Sequence, residues 1–392
     1  MSGPRLSLLA LTKSTGGLAA YNKALLAALD PARFESHTLC LSENGDAYAA
    51  EMAALGLSAE SLAMARYRID PLGDLRLIRQ ILGILRERRP QVVLAHGSKA
   101  GVIARAVGAL SGTPAVYRQA SLPFLRRVQG HRAPLYWALE TASRPLGGHV
   151  VALTEGARRV TVRCRVFPED RIAVIRTGDD LERFRRRGLR DVVARELGLD
   201  PARPIVGWLG RLEPQKAPMD FLDAVARLTQ RHPRLQVMMA GDGRLRDPVA
   251  AEVVARGLAS VVTLLPWQAD AARALEAVDV YALSSHWEGL PITLLEAMAS
   301  GCAAVATGVD GCLEAIEDGV SGLLVPAADP AAMATAIGRL LDDPAGRDAM
   351  GAAARARAEA LFATSGMVGA WEALLTRLAA GAGRIERWEV PA

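Results

Sequence analysis

Two carboxylates eight positions apart, Glu288 and Glu296, flank a polar turn within residues 279–300, DVYALSSHWEGLPITLLEAMAS. Residues 280–283 are a short apolar run with the pattern of a buried strand. The chain turns through 284–289 and enters a helix with Pro291 near its first turn, where a missing N–H costs nothing. The amides of Ile292, Thr293 and Leu294 are expected to be free there and to point towards the carboxyl end of the strand. That end of a parallel sheet is where ligands bind, and a helix start attracts anions. An anion beside two carboxylates calls for a ligand with two kinds of group. A phosphorylated sugar has both, hydroxyls for the carboxylates and phosphate oxygens for the amides.

The elements that must position this turn recur along the chain. Apolar runs at 7–11, 37–42, 91–95, 115–117, 150–153 and 172–175 read as strands, several followed by a glycine-bearing loop and a helical segment. The order starts again after the turn at 177–180, with strands at 204–209, 235–239, 261–264, 280–283, 303–306 and 322–325. Two successive strand–loop–helix series predict an α/β protein of two Rossmann-like domains. Gly16-Gly17 in the first loop would let backbone approach a ligand closely, although the loop is not GxGxxG and no dinucleotide fingerprint is present.

Composition narrows the class. The chain has 392 residues, 51% of them hydrophobic, which is ample for two cores. The four cysteines are scattered, with no CxxC pair and no Cys/His cluster, so reduced thiols, no structural zinc and a cytoplasmic setting are expected. No signal peptide and no transmembrane helix are expected, since the apolar runs are too short. Of 47 basic residues only four are lysine, at 13, 23, 99 and 216, and three of these fall in glycine-bearing loops, where a slim point charge fits better than a planar fork. Between Arg158 and Arg190 eleven arginines face five acidic residues, read as a solvated surface or as an adhesive face for an anionic membrane. Residues 124–139, basic and aromatic, read as an ordinary helix packing its apolar side on the core, or alternatively as a face lying on a bilayer. No nucleic-acid motif accompanies the basic residues, and no nucleic-acid partner is expected.

Three motifs then occur in order at natural distances: GRLEPQK at 210–216, AGDG at 240–243 and SSHWEGLPITLLEAMASG at 284–301. With them the chain resembles a family 4 retaining glycosyltransferase (glycosyl transferases group 1) of the bacterial surface-polysaccharide type, from about residue 8 to residue 371. Glu288 and Glu296 match its E-x7-E pattern. The resemblance implies the GT-B fold, two facing Rossmann-like domains with parallel sheets and a cleft between them. Residues 1–177 would hold the acceptor and 178–366 the donor, with a helix and tail at 367–392 crossing back to the first domain. It implies hexosyl transfer from a nucleotide diphosphate sugar, UDP-linked more than GDP-linked. The acceptor would be a saccharide or lipid-linked sugar of cell-surface polysaccharide or lipopolysaccharide synthesis, met at the inner face of the plasma membrane.

The residue roles follow from the same resemblance. A departing diphosphate gains negative charge, so pre-oriented positive groups are required. Arg211 and Lys216 would supply them with the helix amides, and no metal or other cofactor is implied. Glu288 would hold the sugar hydroxyls and Glu296 the ribose. Gly289, Leu290, Pro291, Thr293 and Leu294 would complete the donor pocket. Gly241 and Gly243 would lie along the nucleotide, and Gly16 and Gly17 near the phosphates. One departure concerns the loop after the fourth strand, where many members carry a histidine. Here it reads YRQAS at 117–121 with Ala120 at the expected place, closer to an Arg-x-x-Ser/Asn-x-Pro loop matched by Arg118, Ser121 and Pro123. His96 then becomes the candidate catalytic histidine, and Lys13, Lys99, Arg118 and Ser121 the candidates on the acceptor side. A nucleotide-sugar 2-epimerase of the same fold and a donor-binding subunit are the rival readings.

Overall fold

The structure, a computed structural model, describes residues 5–14, 17–42, 46–64 and 70–381. It divides into two compact units. Residues up to Ile175 together with those from Met367 onward form the first, and Arg176–Gly366 the second.

The first unit is built on a parallel sheet of β1 (Leu6–Thr12), β2 (Phe34–Leu41), β3 (Ser58–Leu62), β4 (Val92–His96), β5 (Ala115–Gln119), β6 (His149–Ala152) and β7 (Ile172–Val174), in the order β3-β2-β1-β4-β5-β6-β7. Most of these strands are buried on both faces, which is why they read as continuous apolar runs. β3 is the exception. SAESL is an edge strand with exposed or half-buried residues throughout, so no apolar run announces it.

The second unit has β8 (Ile205–Leu209), β9 (Gln236–Ala240), β10 (Val262–Leu265), β11 (Val280–Leu283), β12 (Ala303–Thr307) and β13 (Leu323–Val325), all parallel, in the order β10-β9-β8-β11-β12-β13. Strand order reverses between β8 and β11. At such a point the two following helices leave to opposite faces and a crevice opens at the carboxyl ends. Asp279 anchors the opposite ends of the same strands. Its carboxylate takes both Arg190 Nε at 2.9 Å and Arg190 Nη2 at 2.6 Å, and accepts the Ile205 amide at 2.8 Å.

The chain passes between the units twice, near 175 and near 366. Within the second unit these segments are tied by backbone bonds, Asp179 N to Phe362 O at 3.0 Å and Thr364 N to Asp179 O at 3.2 Å. The helix Thr364–Ala379 then buries Met367, Trp371, Leu374 and Leu378 in the core of the first unit. Trp371 Nε1 donates to Tyr21 Oη at 2.7 Å, and Glu372 accepts from the Asp30 amide and from Arg33 Nη1.

The segment 124–139 is not one helix. A helix Arg126–Gln129 and a tight turn Gly130–Arg132 precede the helix Ala133–Ala142, with Gly130 at φ 55° making the break. Phe124 packs in the core and Leu125 against it, but the apolar residues further along do not turn inward. Within Ala133–Ala142 only Ala133 and Glu140 are buried, while Leu135, Trp137 and Leu139 are 45–47% exposed. Part of the arginine-rich run from 158 to 190 is spent within the fold. Arg158 pairs with Glu155 and Glu169, Arg176 with Glu314, and Arg190 with Asp279. Arg186 donates to the Val278 carbonyl and to Cys302 Sγ.

Candidate active site

The reversal between β8 and β11 places the loop 210–217 beside the turn 284–291, and hydrogen bonds lace the two together. Ser284 Oγ donates to the carbonyls of Lys216 and Ala217 at 2.8 and 3.0 Å. His286 N donates to Gln215 O at 2.8 Å, and Gln215 Nε2 to Trp287 O at 2.9 Å. At the centre Lys216 Nζ meets Glu288 Oε1 at 2.6 Å, and Ser285 Oγ donates to the same oxygen at 2.6 Å. Lys216 and Glu288 are each only 8% exposed. A buried carboxyl group with one oxygen held by an amine and a hydroxyl is kept in a fixed orientation. Its second oxygen has one long contact, 3.4 Å from Gln215 Nε2.

The sequence places Lys216 at the diphosphate; the structure instead spends its charge on Glu288. Arg211, in the same loop, is exposed and touches Gln215 Oε1 at 3.2 Å. It is the accessible cation of the pair. Nothing in the sequence singles out Ser285 and Gln215, which hold Glu288. Ser285 stands three positions before Glu288, but Gln215 is 73 positions away and its contact depends on the strand order.

The helix starts one residue later than Pro291, at Ile292, and runs to Ala299. Leu294 N is not free as expected, because it donates to Pro291 O at 3.0 Å, as does Leu295 N at 3.2 Å. Only the first two amides, of Ile292 and Thr293, remain in the role expected of three. Leu290 and Pro291 are buried beneath the turn, and Gly289 is half-buried. Glu296, one turn into the helix, is half-buried. Burial pushes its carboxyl up to about 7, the negative charge of Asp179 adds to this, and Arg183 and Lys216 oppose it.

The AGDG loop follows β9, the neighbour of β8. A Cβ on Gly241 would lie 1.9 Å from Gly210 O, and one on Gly243 2.5 Å from Leu212 O. Both glycines are therefore demanded by two loops packing backbone to backbone, before any ligand is considered.

In the first unit the reversal between β1 and β4 gathers the other candidates at the carboxyl ends. Gly16 lies outside the described residues. Gly17 opens the helix Gly17–Ala28 and faces open space. Lys13 is half-buried just past β1, and Ser121 is exposed just past β5. Lys99 is committed to Asp74 at 2.9 Å, which argues against a free acceptor-side charge. Arg118 is buried, its guanidinium 3.6 Å from the centre of the Tyr21 ring. His96 does not fit the catalytic role expected of it. It is fully buried, edge-on to Tyr21 at 5.6 Å, with neither ring nitrogen hydrogen-bonded. Burial, with Arg118 adding to it, lowers its pKa to about 3. A neutral, enclosed imidazole is a packing group, and it does not present a proton acceptor to a substrate.

Among the described residues no group of three His, Cys, Asp or Glu is arranged to hold a metal ion, and no helix is long and apolar enough to cross a membrane.

The family described as "Glycosyl transferases group 1" matches residues 203–343, and that described as "Glycosyl transferase 4-like domain" matches residues 16–178. A D-inositol 3-phosphate glycosyltransferase of Frankia alni is 32% identical over 283 residues, 68% of this chain and 69% of that protein. An Escherichia coli UDP-Gal:alpha-D-GlcNAc-diphosphoundecaprenol alpha-1,3-galactosyltransferase is 26% identical over 70% of this chain and 72% of its own length. Other curated relatives are matched over only about half of their length or less. The crystal structure of Anabaena HepE in complex with UDP and glucose superposes with a TM-score of 0.81 at 20% identity, over 95% of this chain and all of that one. At that identity the likeness is one of fold.

Proposed function

The chain belongs to the family 4, group 1 glycosyltransferases of GT-B fold, and from that premise we propose that it is a retaining hexosyltransferase using a nucleotide diphosphate sugar. The observation that carries the proposal is the oriented Glu288, held by Lys216 and Ser285 at the β8/β11 reversal, with exposed Arg211 and a helix start beside it. Glu288 accepts hydroxyls of the donor sugar, and Glu296 those of the ribose. As the bond from the anomeric carbon to the phosphate oxygen breaks, Arg211 and the Ile292 and Thr293 amides take up the charge left on the diphosphate. The acceptor hydroxyl attacks from the same face, and its proton passes to the departing phosphate oxygen. No side-chain base is needed, consistent with an enclosed His96. In this reading the charge is met without a metal, so chelators leave the rate unchanged.

UDP is the favoured carrier. The E. coli relative is named for a UDP-linked donor and HepE is described with UDP. The same E. coli relative is named for a diphosphoundecaprenol acceptor, which supports a lipid-linked saccharide acceptor here and a place in surface-polysaccharide synthesis at the cytoplasmic membrane face. The helix Ala133–Ala142 supports peripheral attachment. It buries its acid, Glu140, on Arg105 at 3.0 Å and exposes Leu135, Trp137 and Leu139, with exposed Arg126, Arg127 and Arg132 just before it. Apolar groups outward, flanked by cations, suit an anionic bilayer.

The test is transfer from UDP-glucose and UDP-galactose to a lipid-diphosphate saccharide, read with Arg211→Ala. Arg211 is exposed, so its removal leaves folding intact. The rate is expected to fall by roughly two to three orders of magnitude. An unchanged rate would remove Arg211 from the site, and steady formation of an epimer without acceptor would replace transfer with epimerisation.

A further inference from the structure

The exposed helix Ala133–Ala142 ends beside a cavity of about 690 Å³ that the transfer reaction does not use. Gly147 and Arg171, which line it, stand just before β6 and β7, at the amino ends of those strands. The acceptor-side candidates gather at the opposite, carboxyl ends. The floor is firm. Phe167 is 3% exposed, with its ring edge-on to Tyr117 at 6.2 Å and under the Arg105 guanidinium at 4.8 Å. Two arginines, Arg144 and Arg171, share the wall. Gly147 has a φ of 71°, and a Cβ there would lie 3.1 Å from Arg171 Nη1. The charged end of Arg171 therefore rests over a lining glycine and faces the cavity. Arg144 Nη1 donates to Arg165 O at 3.2 Å. Among the described residues neither arginine has an ion pair. Asp170 is the one acid of the lining and has an interaction of its own. Nearby, Glu169 is paired with Arg158, and Arg165 is exposed.

The mouth of the cavity continues into the apolar surface of the helix. Thr141 lines the cavity and stands one turn after Trp137, on the same helix face. Its Oγ1 donates to Trp137 O at 2.8 Å. Trp137 is 45% exposed, and its Nε1 is satisfied by Cys164 O at 2.9 Å. A half-exposed indole with its N–H satisfied suits the boundary between lipid headgroups and acyl chains.

We infer that this cavity is a phospholipid headgroup site, in which Arg144 and Arg171 take the phosphodiester oxygens while the acyl chains pass Trp137 towards Leu135 and Leu139. Guanidinium forks match phosphate oxygens in geometry as well as in charge. A free anion would need only the arginines; the adjoining apolar surface points to a lipid. Its place at the amino ends of β6 and β7 makes it a site for bulk anionic lipid, separate from the acceptor. The inference rests on the peripheral membrane attachment proposed above, and turns general adsorption into a site of fixed stoichiometry.

The experiment titrates dihexanoyl phosphatidylglycerol, kept below its micelle-forming concentration, into the full chain by calorimetry, so that no bilayer field contributes. The proteins are the wild type, Arg144→Gln, and Arg144→Gln with Arg171→Gln. Arg159→Gln with Arg163→Gln is the control, removing equal charge from exposed positions outside the cavity. The wild type is expected to bind the lipid saturably, one to one. Arg144→Gln, at an exposed position, should keep its Tm and weaken binding by about tenfold, and the double variant by more. The control should bind as the wild type does, and inorganic phosphate should bind the wild type at least about tenfold more weakly than the lipid. No saturable lipid binding by the wild type overturns the inference, as does equal binding by the cavity variants or an equal loss in the control. Phosphate binding as tight as that of the lipid also overturns it, since the site would then serve a free anion. Sedimentation with phosphatidylglycerol vesicles at low salt keeps the underlying reading separate. A wild type that ignores the vesicles defeats peripheral attachment itself, whereas one that sediments but takes up no short-chain lipid defeats the headgroup site alone.

Discussion

Glu296 carries the pH dependence of the proposed site. Its pKa stands at about 7 against an ordinary 4.5, so near neutrality half the molecules hold it protonated. A carboxylate accepts two hydroxyls where the acid accepts fewer, so donor affinity should rise with pH through 7. Stability runs the other way. An acid with a raised folded-state pKa holds a proton that the unfolded chain has lost between 4.5 and 7. Its favourable contribution is complete below the lower value and disappears as pH rises through the higher. Glu296→Gln removes this term. The Tm advantage of the variant over the wild type should therefore grow from pH 5 to pH 8, while nucleotide affinity falls and loses its rise around pH 7. A Tm difference that is flat with pH would contradict the assignment. His96 has the opposite sign. With its folded-state pKa lowered to about 3, it withdraws stability as pH falls below 6.5, where the unfolded chain gains a proton that the folded chain refuses.

At the scale of elements, the loops of the second unit are positioned from both ends of their strands. Ser284, Gln215 and the glycine contacts fix the carboxyl ends, and Arg190–Asp279 fixes the amino ends. Asp279→Ala would orphan the partly buried Arg190 and the Ile205 amide, and should cost about 2 to 3 kcal/mol in urea unfolding. A loss below half of that would mean that β8 and β11 hold their ends without it. These elements differ in how plainly the sequence announces them. Val280–Leu283 reads as a strand because it is apolar on both faces, and Pro291 marks the helix entry one residue before it begins. Ser58–Leu62 is silent, since an edge strand needs no apolar run. The Lys216–Glu288 pair is also silent, because 72 residues separate partners that only the strand order unites. The apolar residues of 133–142 mislead outright, since a periodicity argument sends them inward while the buried Arg105 claims Glu140 instead.

For the molecule as a whole, net charge of +5 says little, because much of the arginine-rich run between 158 and 190 is spent on internal pairs. What remains outward and unusual is the apolar exposed helix in the first unit, preceded by three exposed arginines. The protein should sediment with anionic vesicles at low salt and be released as ionic strength rises. Leu135→Ser with Leu139→Ser should weaken this about tenfold or more without lowering Tm, because neither side chain is buried. Retention of full vesicle binding by that variant would move the membrane face elsewhere.

The central claim is that the β8/β11 reversal holds a nucleotide diphosphate sugar for transfer. It is tested most directly by titrating UDP-glucose or UDP-galactose calorimetrically into the wild type and Arg211→Ala under matched salt. The account predicts saturable one-site binding to the wild type and a clearly weaker, more salt-sensitive affinity in the variant. No binding of either donor, or equal binding by both proteins, would contradict it.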